Sequence, residues 1–246
     1  MKNLMFILVA TALTSLSAFA GTPSSDEVRR KSLTIQSVQT VDLTSQYALN
    51  VNARSLYESA PLYESAAGAG AALGTAEVVV DKIINIGTKI WNVIERGRPV
   101  SNYTSTRANA LPEGATRWDQ LDGWQEPTSK VYGVIYKNML GMEVVRMVYR
   151  VTVLYGGSAN GVGRYIGYTS VDPVSITVAP LYQLDATAAV DSVYNTGSRT
   201  NPVAGMILNV GWRVRNVLTD NRQSHTLTID ARGGLRMTRD TSANLQ

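Results

Sequence analysis

The order of hydrophobic and polar residues divides the chain into a segment with the period of a helix and a longer part with the period of strands. From residue 75 to residue 99 the apolar side chains recur every three to four positions, as on one face of a helix. Thr75 can cap the first turn, and Gly97 and Pro99 follow the last turn. The pattern predicts one long amphipathic helix at about residues 76–96. Its apolar face would comprise Val79, Val80, Ile83, Ile84, Ile86, Ile90, Trp91, Val93 and Ile94.

Apolar and polar residues alternate over much of the chain after this segment. The runs from Lys130 to Asn138 and from Met142 to Tyr155 are separated by a short turn segment, which predicts a hairpin. The second run also carries Val144, Val148 and Leu154 on the face opposite its main apolar face. A strand that is apolar on both faces is buried on both. We therefore expect the helix, another sheet or a neighbouring subunit to cover it.

Further alternating runs follow, up to a last one that ends near Ile229, so that six to eight strands are expected. No helix alternates with them, which favours antiparallel connections. The predicted fold is α+β and mainly antiparallel β, a sandwich or strongly curved sheet with the long helix packed on it. It forms one domain over residues 21–237, with a flexible polar start at residues 21–31 and a flexible tail at 238–246. His225 is expected at the start of a strand, partly solvated.

The first twenty residues have the pattern of a secretory signal peptide. Lys2 is followed by an apolar run from Met5 to Leu13 and by the small-residue sequence Ala18-Phe19-Ala20. The apolar run is too short to span a bilayer. We expect export to the periplasm, the outer-membrane surface or the extracellular space. Because the chain has no cysteine, its core must supply the stability that disulfides often give exported proteins.

Charge and composition exclude several functional classes. A formal net charge of +4, spread along 246 residues, does not indicate nucleic-acid binding. One histidine and no cysteine exclude histidine-rich zinc sites and cysteine nucleophiles. The chain contains neither a GxSxG elbow nor a phosphate-binding GxxxxGK[ST] loop. We therefore predict a non-enzymatic protein with no catalytic residue, metal or cofactor.

Two segments place aromatic side chains where a partner or ligand could contact them. The loop between residues 118 and 124 has two tryptophans with acidic neighbours, which could stack on a sugar or clamp a peptide, or could anchor the loop to the body. A doubled LYESA sequence, followed by a Gly/Ala-rich run, is either a mobile loop or a segment that reorganises on assembly or membrane contact. The candidate contact residues are Trp118, Asp119, Asp122, Trp124, Tyr57 and Tyr63.

Three functions fit this sequence. The favoured one is an exported structural or interaction protein of the bacterial cell envelope that self-associates into a homo-oligomer, because the long strand is apolar on both faces. Its partners would be further copies of itself and an envelope or outer-membrane surface. The second is a membrane-active protein that inserts into or forms pores in a bilayer. The third is a carbohydrate-binding or hydrolytic protein that uses the Trp118–Trp124 loop.

Overall fold

The structure, a computed structural model, describes residues 23–48, 78–85, 87, 89–95, 104–105 and 107–241. These residues form two short helices, α1 (Ser25–Leu33) and α2 (Thr44–Ala48), a 3₁₀ turn (Trp118–Gln120) and twelve strands. The strands are β1 (Ile35–Asp42), β2 (Val79–Ile84), β3 (Lys89–Glu95), β4 (Thr104–Ser105), β5 (Ala108–Glu113), β6 (Thr128–Asn138), β7 (Glu143–Ala159), β8 (Val162–Val178), β9 (Gln183–Asn195), β10 (Ala204–Arg215), β11 (Asp220–Asp230) and β12 (Leu235–Asp240).

The strands form two six-stranded antiparallel sheets that share one hydrophobic core. The first sheet has the order β1-β6-β7-β8-β5-β2, and the second has the order β12-β11-β10-β9-β3-β4. The largest fully buried side chains come from both sheets and include Tyr136, Tyr149, Tyr165, Met206 and Leu208. The prediction of a mainly antiparallel, strongly curved β structure is confirmed.

The predicted hairpin is β6 and β7, and β7 is buried on both faces as expected. Val144, Val148 and Leu154 are all less than 9% exposed. The chain itself supplies cover for two of them. Val148 packs in a small cluster with Leu43 and Tyr47, while Trp124 and Leu154 meet above Gly167. No neighbouring subunit is needed to cover these two positions.

The expected long helix at residues 76–96 is wrong. In its place lie β2, which pairs with β5, and β3, which pairs with β9. Gly87 lies between them with a φ of 91°, and a Cβ there would collide with the carbonyl oxygen of Arg107. The segment is rich in valine and isoleucine, which favour strands. Strand pairing with β5 and β9 therefore overrides the helical period.

Three smaller predictions also need correction. Residues 25–31, expected in a flexible start, belong to α1, which begins where Ser24 accepts a hydrogen bond from the Glu27 amide. Residues 238–240, expected in the tail, belong to β12. His225 lies inside β11 and is fully buried instead of partly solvated. The predicted signal peptide lies outside the described residues.

Candidate interaction surface and polar cleft

The last turn of α1 is the point where three loops of the sandwich meet. Asn138 Nδ2 and Tyr182 Oη both donate hydrogen bonds to the carbonyl oxygen of Ser32, at 3.0 and 2.9 Å. Asn216 Nδ2 donates to the carbonyl oxygen of Leu33 at 2.7 Å. Carbonyl groups in the last turn of a helix have no partner within the helix. These bonds satisfy them and hold the β6–β7, β8–β9 and β10–β11 loops around α1.

Two asparagines organise their loops in the same way. Asn138 Oδ1 accepts hydrogen bonds from the backbone amides of Leu140 and Met142, both at 3.0 Å. Asn216 Oδ1 accepts from the amides of Leu218 and Thr219, at 2.7 and 2.8 Å. Each side chain therefore fixes the turn that follows it and ties that turn to α1. Asn138 is fully buried, so its bonds do not compete with water.

The loops held in this way present apolar side chains to solvent. Of the nine large apolar side chains that are exposed among the described residues, six lie in these three loops. Turn positions usually carry Gly, Pro, Asn, Asp or Ser, so this is unusual for a loop. We call these six residues the apolar end of the sandwich: Met139, Leu140, Met142, Leu181, Val217 and Leu218.

Leu181 is the most strained member of the apolar end. Its φ is 73°, in the left-handed region that leucine rarely adopts, and its side chain is 69% exposed. The other non-glycine residue with positive φ in the described part of the chain is Asn160, a residue type that tolerates this conformation. The strained conformation of Leu181 does not bury its side chain in the folded protein. This indicates a role in function and not in stability.

The single histidine belongs to the core between the sheets. His225 Nδ1 lies 2.6 Å from Tyr149 Oη, and Nε2 lies 3.0 Å from Thr40 Oγ1 and 3.3 Å from Asp240 Oδ1. Burial lowers the pKa of His225 to about 4, against the opposing effect of Asp240. Burial also raises the pKa of the Tyr149 hydroxyl well above its usual value.

The Asp240 carboxylate sets the direction of the hydrogen bonds around His225. Because a carboxylate oxygen only accepts, the neutral imidazole carries its proton on Nε2, towards Asp240 and Thr40, and Nδ1 accepts from the Tyr149 hydroxyl. The Trp212 ring packs edge-on against the imidazole at 4.6 Å. A buried, fully bonded histidine of this kind joins the two sheets. Within the described residues, no group of three or more His, Asp or Glu side chains could hold a metal ion.

The Trp118–Trp124 loop is anchored to the body by one of its two indoles. Trp124 Nε1 donates to the carbonyl oxygens of Trp118 and Leu121, both at 3.1 Å, and its ring covers Gly157. Trp118 packs edge-on against Trp124 with its ring centre 6.4 Å away, and remains 46% exposed. Trp118 is therefore the member of the pair that is open to a ligand.

The two acidic candidates of this loop have different surroundings. Asp119 forms an ion pair with Arg117. Asp122 is joined to Ser158 through backbone hydrogen bonds in both directions, which dock the loop on β7. Tyr57 and Tyr63, the remaining candidates, lie outside the described residues.

An open polar cleft of about 240 Å³ lies beside this loop, at the end of the sandwich opposite the apolar end. Gln125 and Gly123 of the loop form one wall, and the β7–β8 hairpin forms another. The cleft is lined by Gly123, Gln125, Gly156, Ser158, Gly161, Gly163, Arg164 and Asn201. Its amide, hydroxyl and guanidinium groups could bind a hydroxylated ligand.

The sequence pattern does not reveal the apolar end. It indicates only a turn at residues 139–141, and the turn that holds Leu181 becomes evident from the structure, where β8 ends at Val178 and β9 begins at Gln183. One signal was present in the sequence. Apolar pairs such as Met139-Leu140 and Val217-Leu218 lie where the pattern requires turns.

Comparisons of the chain with models of protein families, with curated proteins and with solved structures give no match. Among the described residues, none of the helices has the length and apolar character needed to cross a bilayer. The chemistry of the protein's own surface is therefore what indicates its function.

Proposed function

We propose that the protein is an exported, non-enzymatic interaction protein of the cell envelope, which binds its partner through the apolar end. The observation that carries this proposal is the pairing of exposed apolar side chains with buried hydrogen bonds that hold them in place. Asn138 and Asn216 order the loops, and Leu181 remains strained and exposed. These apolar side chains contribute little to the core of the folded protein. Such exposed side chains are expected where a partner buries them on binding.

Other features support the two remaining parts of the proposal. The charged start, short apolar run and Ala-Phe-Ala sequence of the first twenty residues support export. The single histidine is committed to the core, with the Tyr149 hydroxyl on one ring nitrogen and Thr40 and Asp240 near the other, which supports a role in binding instead of catalysis.

The two apolar faces of β7 give only limited support for self-association, because α2 and Trp124 cover part of the second face. A second copy of the chain is therefore considered as a partner for the apolar end. Sedimentation velocity of residues 21–246 at micromolar concentrations measures it directly, and a monomer that stays monomeric would remove the homo-oligomer.

Fractionation of cells tests the proposed function without assuming what the partner is. A triple variant, with Met139→Ser, Leu181→Asn and Leu218→Ser, should move the protein from the envelope fraction to the soluble fraction. The control is Val79→Ser, which removes another exposed apolar side chain, on β2 and outside these loops, and should change nothing. A triple variant that is folded, as shown by circular dichroism, and that stays in the envelope fraction would overturn the proposal.

Carbohydrate binding is a second candidate function, favoured by the position of the polar cleft. The cleft opens next to the Trp118–Trp124 loop, and Trp118 has an exposed ring that could stack on a sugar face. Glycan-array binding that is lost in Trp118→Ala would support it. Trp118 suits this test better than Trp124, whose indole packs on Gly157 and is part of the fold.

A further inference from the structure

We infer that the partner of the apolar end is the surface of an anionic lipid bilayer, and that the tips of the three loops insert into it. This inference rests on the proposed function and specifies the partner. It depends on three observations: which side chains are exposed, how they are presented, and which charges lie next to them.

Four of the six exposed side chains are Leu or Val, which rarely carry the binding energy of a protein interface, although the two methionines are of a type found there. Binding energy between proteins concentrates in Trp, Tyr and Arg, whereas Leu and Val are under-represented at such sites. The apolar end carries only Met, Leu and Val. These side chains have no hydrogen-bonding group to direct towards a specific partner. They fit an apolar medium that adapts its shape to them.

The presentation of these side chains also favours a bilayer. They project from three separate loops around α1 and not from one continuous strand face. Each of the β6–β7 and β10–β11 loops is closed internally by an asparagine side chain that accepts two backbone amide hydrogens. Backbone groups that enter the edge of a bilayer need such internal partners, because lipid offers them none.

The charges next to the loops are complementary to an anionic surface. The nearby carboxylates of Glu27, Glu143 and Asp220 are each neutralised by an ion pair, with Lys31, Arg146 and Arg213 respectively.

Three cations near the loops remain available. Lys137 immediately precedes the β6–β7 turn, and Arg29 and Arg30 lie on α1. Among the described residues none of the three forms an ion pair. Asp26, at the start of α1, is a carboxylate that forms no ion pair within that same described part of the chain. The balance is positive, and each basic residue close to anionic lipid strengthens attachment.

Vesicle flotation with residues 21–246 tests the inference. The protein should bind vesicles of phosphatidylglycerol and phosphatidylethanolamine, bind phosphatidylcholine vesicles more weakly, and lose affinity as salt is raised. Leu181→Asn and Leu218→Ser should each lower the affinity about tenfold. Val79→Ser should bind as the unchanged protein does.

Charge variants distinguish specific binding to anionic lipid from non-specific hydrophobic adsorption. Replacing Arg29, Arg30 and Lys137 by Gln should abolish the preference for phosphatidylglycerol while leaving weak binding to phosphatidylcholine. Equal binding of the Gln variant and the unchanged protein to anionic vesicles would overturn the inference. Release of an entrapped dye would also overturn it, because surface attachment by loop tips leaves the bilayer intact.

The outcomes distinguish failure of this inference from failure of the proposed function. If the triple variant leaves the envelope fraction but the unchanged protein does not bind vesicles, the apolar end binds a protein or a second copy of the chain, and only the lipid inference is wrong. If the triple variant stays in the envelope fraction, the proposed function itself is wrong.

Discussion

Replacement of Leu181 by asparagine should stabilise the protein although it removes an apolar side chain. Leu181 lies in the turn between β8 and β9 with a φ of 73°. Asparagine adopts this left-handed conformation far more readily than leucine, because its short polar side chain can bond locally. The substitution therefore relieves backbone strain at a position where leucine contributes little to the core.

The magnitude follows from the exposure of the side chain. Full burial of leucine contributes about 1.5–3 kcal/mol, and Leu181 is 69% exposed, so about a third of this, roughly 0.5–1 kcal/mol, is lost on its removal. Relief of the left-handed conformation returns about 1–2 kcal/mol. Leu181→Asn should therefore raise the free energy of unfolding by about 0.5–1 kcal/mol.

The matched control is Leu181→Ala, which loses the same apolar contacts but keeps the strain. It should lower the free energy of unfolding by about 0.5–1 kcal/mol. Urea unfolding followed by circular dichroism measures both variants, with the m-value checked for constancy. If the asparagine variant is destabilised as much as the alanine variant, the strain assigned to Leu181 is wrong.

Three further predictions concern other positions. Asn138→Ala should lower the free energy of unfolding by about 2–3 kcal/mol in urea titration, because three hydrogen bonds are lost at a buried site; an effect below 1 kcal/mol would contradict its role. Stability should fall by up to about 3 kcal/mol as the pH drops from 6.5 towards 4, because only the unfolded chain protonates His225 in that interval; a free energy of unfolding that stays flat from pH 6.5 to about 5 would exclude this. Gly157→Ala should displace the Trp124 indole and shift the tryptophan fluorescence to the red, and an unchanged spectrum would show that the contact is loose.

The sequence predicts the central hairpin well because the information is local. Within both β6 and β7, apolar and polar residues alternate with the period of a strand over many positions, and the turn between the two strands is short. The segment at 76–96 has the period of a helix, but its valines and isoleucines are residues that favour strands. Pairing with β5 and β9 is what makes this segment form strands. These partners lie far along the sequence, so the pairing cannot be derived from the segment itself.

The candidate site was harder to predict for a similar reason. The bond from Asn138 to Ser32 joins residues 106 positions apart, and the bond from Asn216 to Leu33 joins residues 183 apart. Neither asparagine differs in sequence from one in an ordinary turn. The sequence singles out Trp118 and Trp124 by their acidic neighbours, but only the packing of Trp124 on Gly157 distinguishes the anchoring indole from the open one.

The length of β7 separates the apolar end from the polar cleft. This strand begins next to Met142, in the apolar end, and runs for 17 residues to Ala159, beside the polar cleft. At about 3.3 Å per residue its length along the chain is roughly 50 Å, and the curvature of the sheet makes the direct distance between its ends shorter. A protein attached to lipid by its apolar loops would thus hold its cleft away from the lipid headgroups, where it could meet the polysaccharides of an envelope.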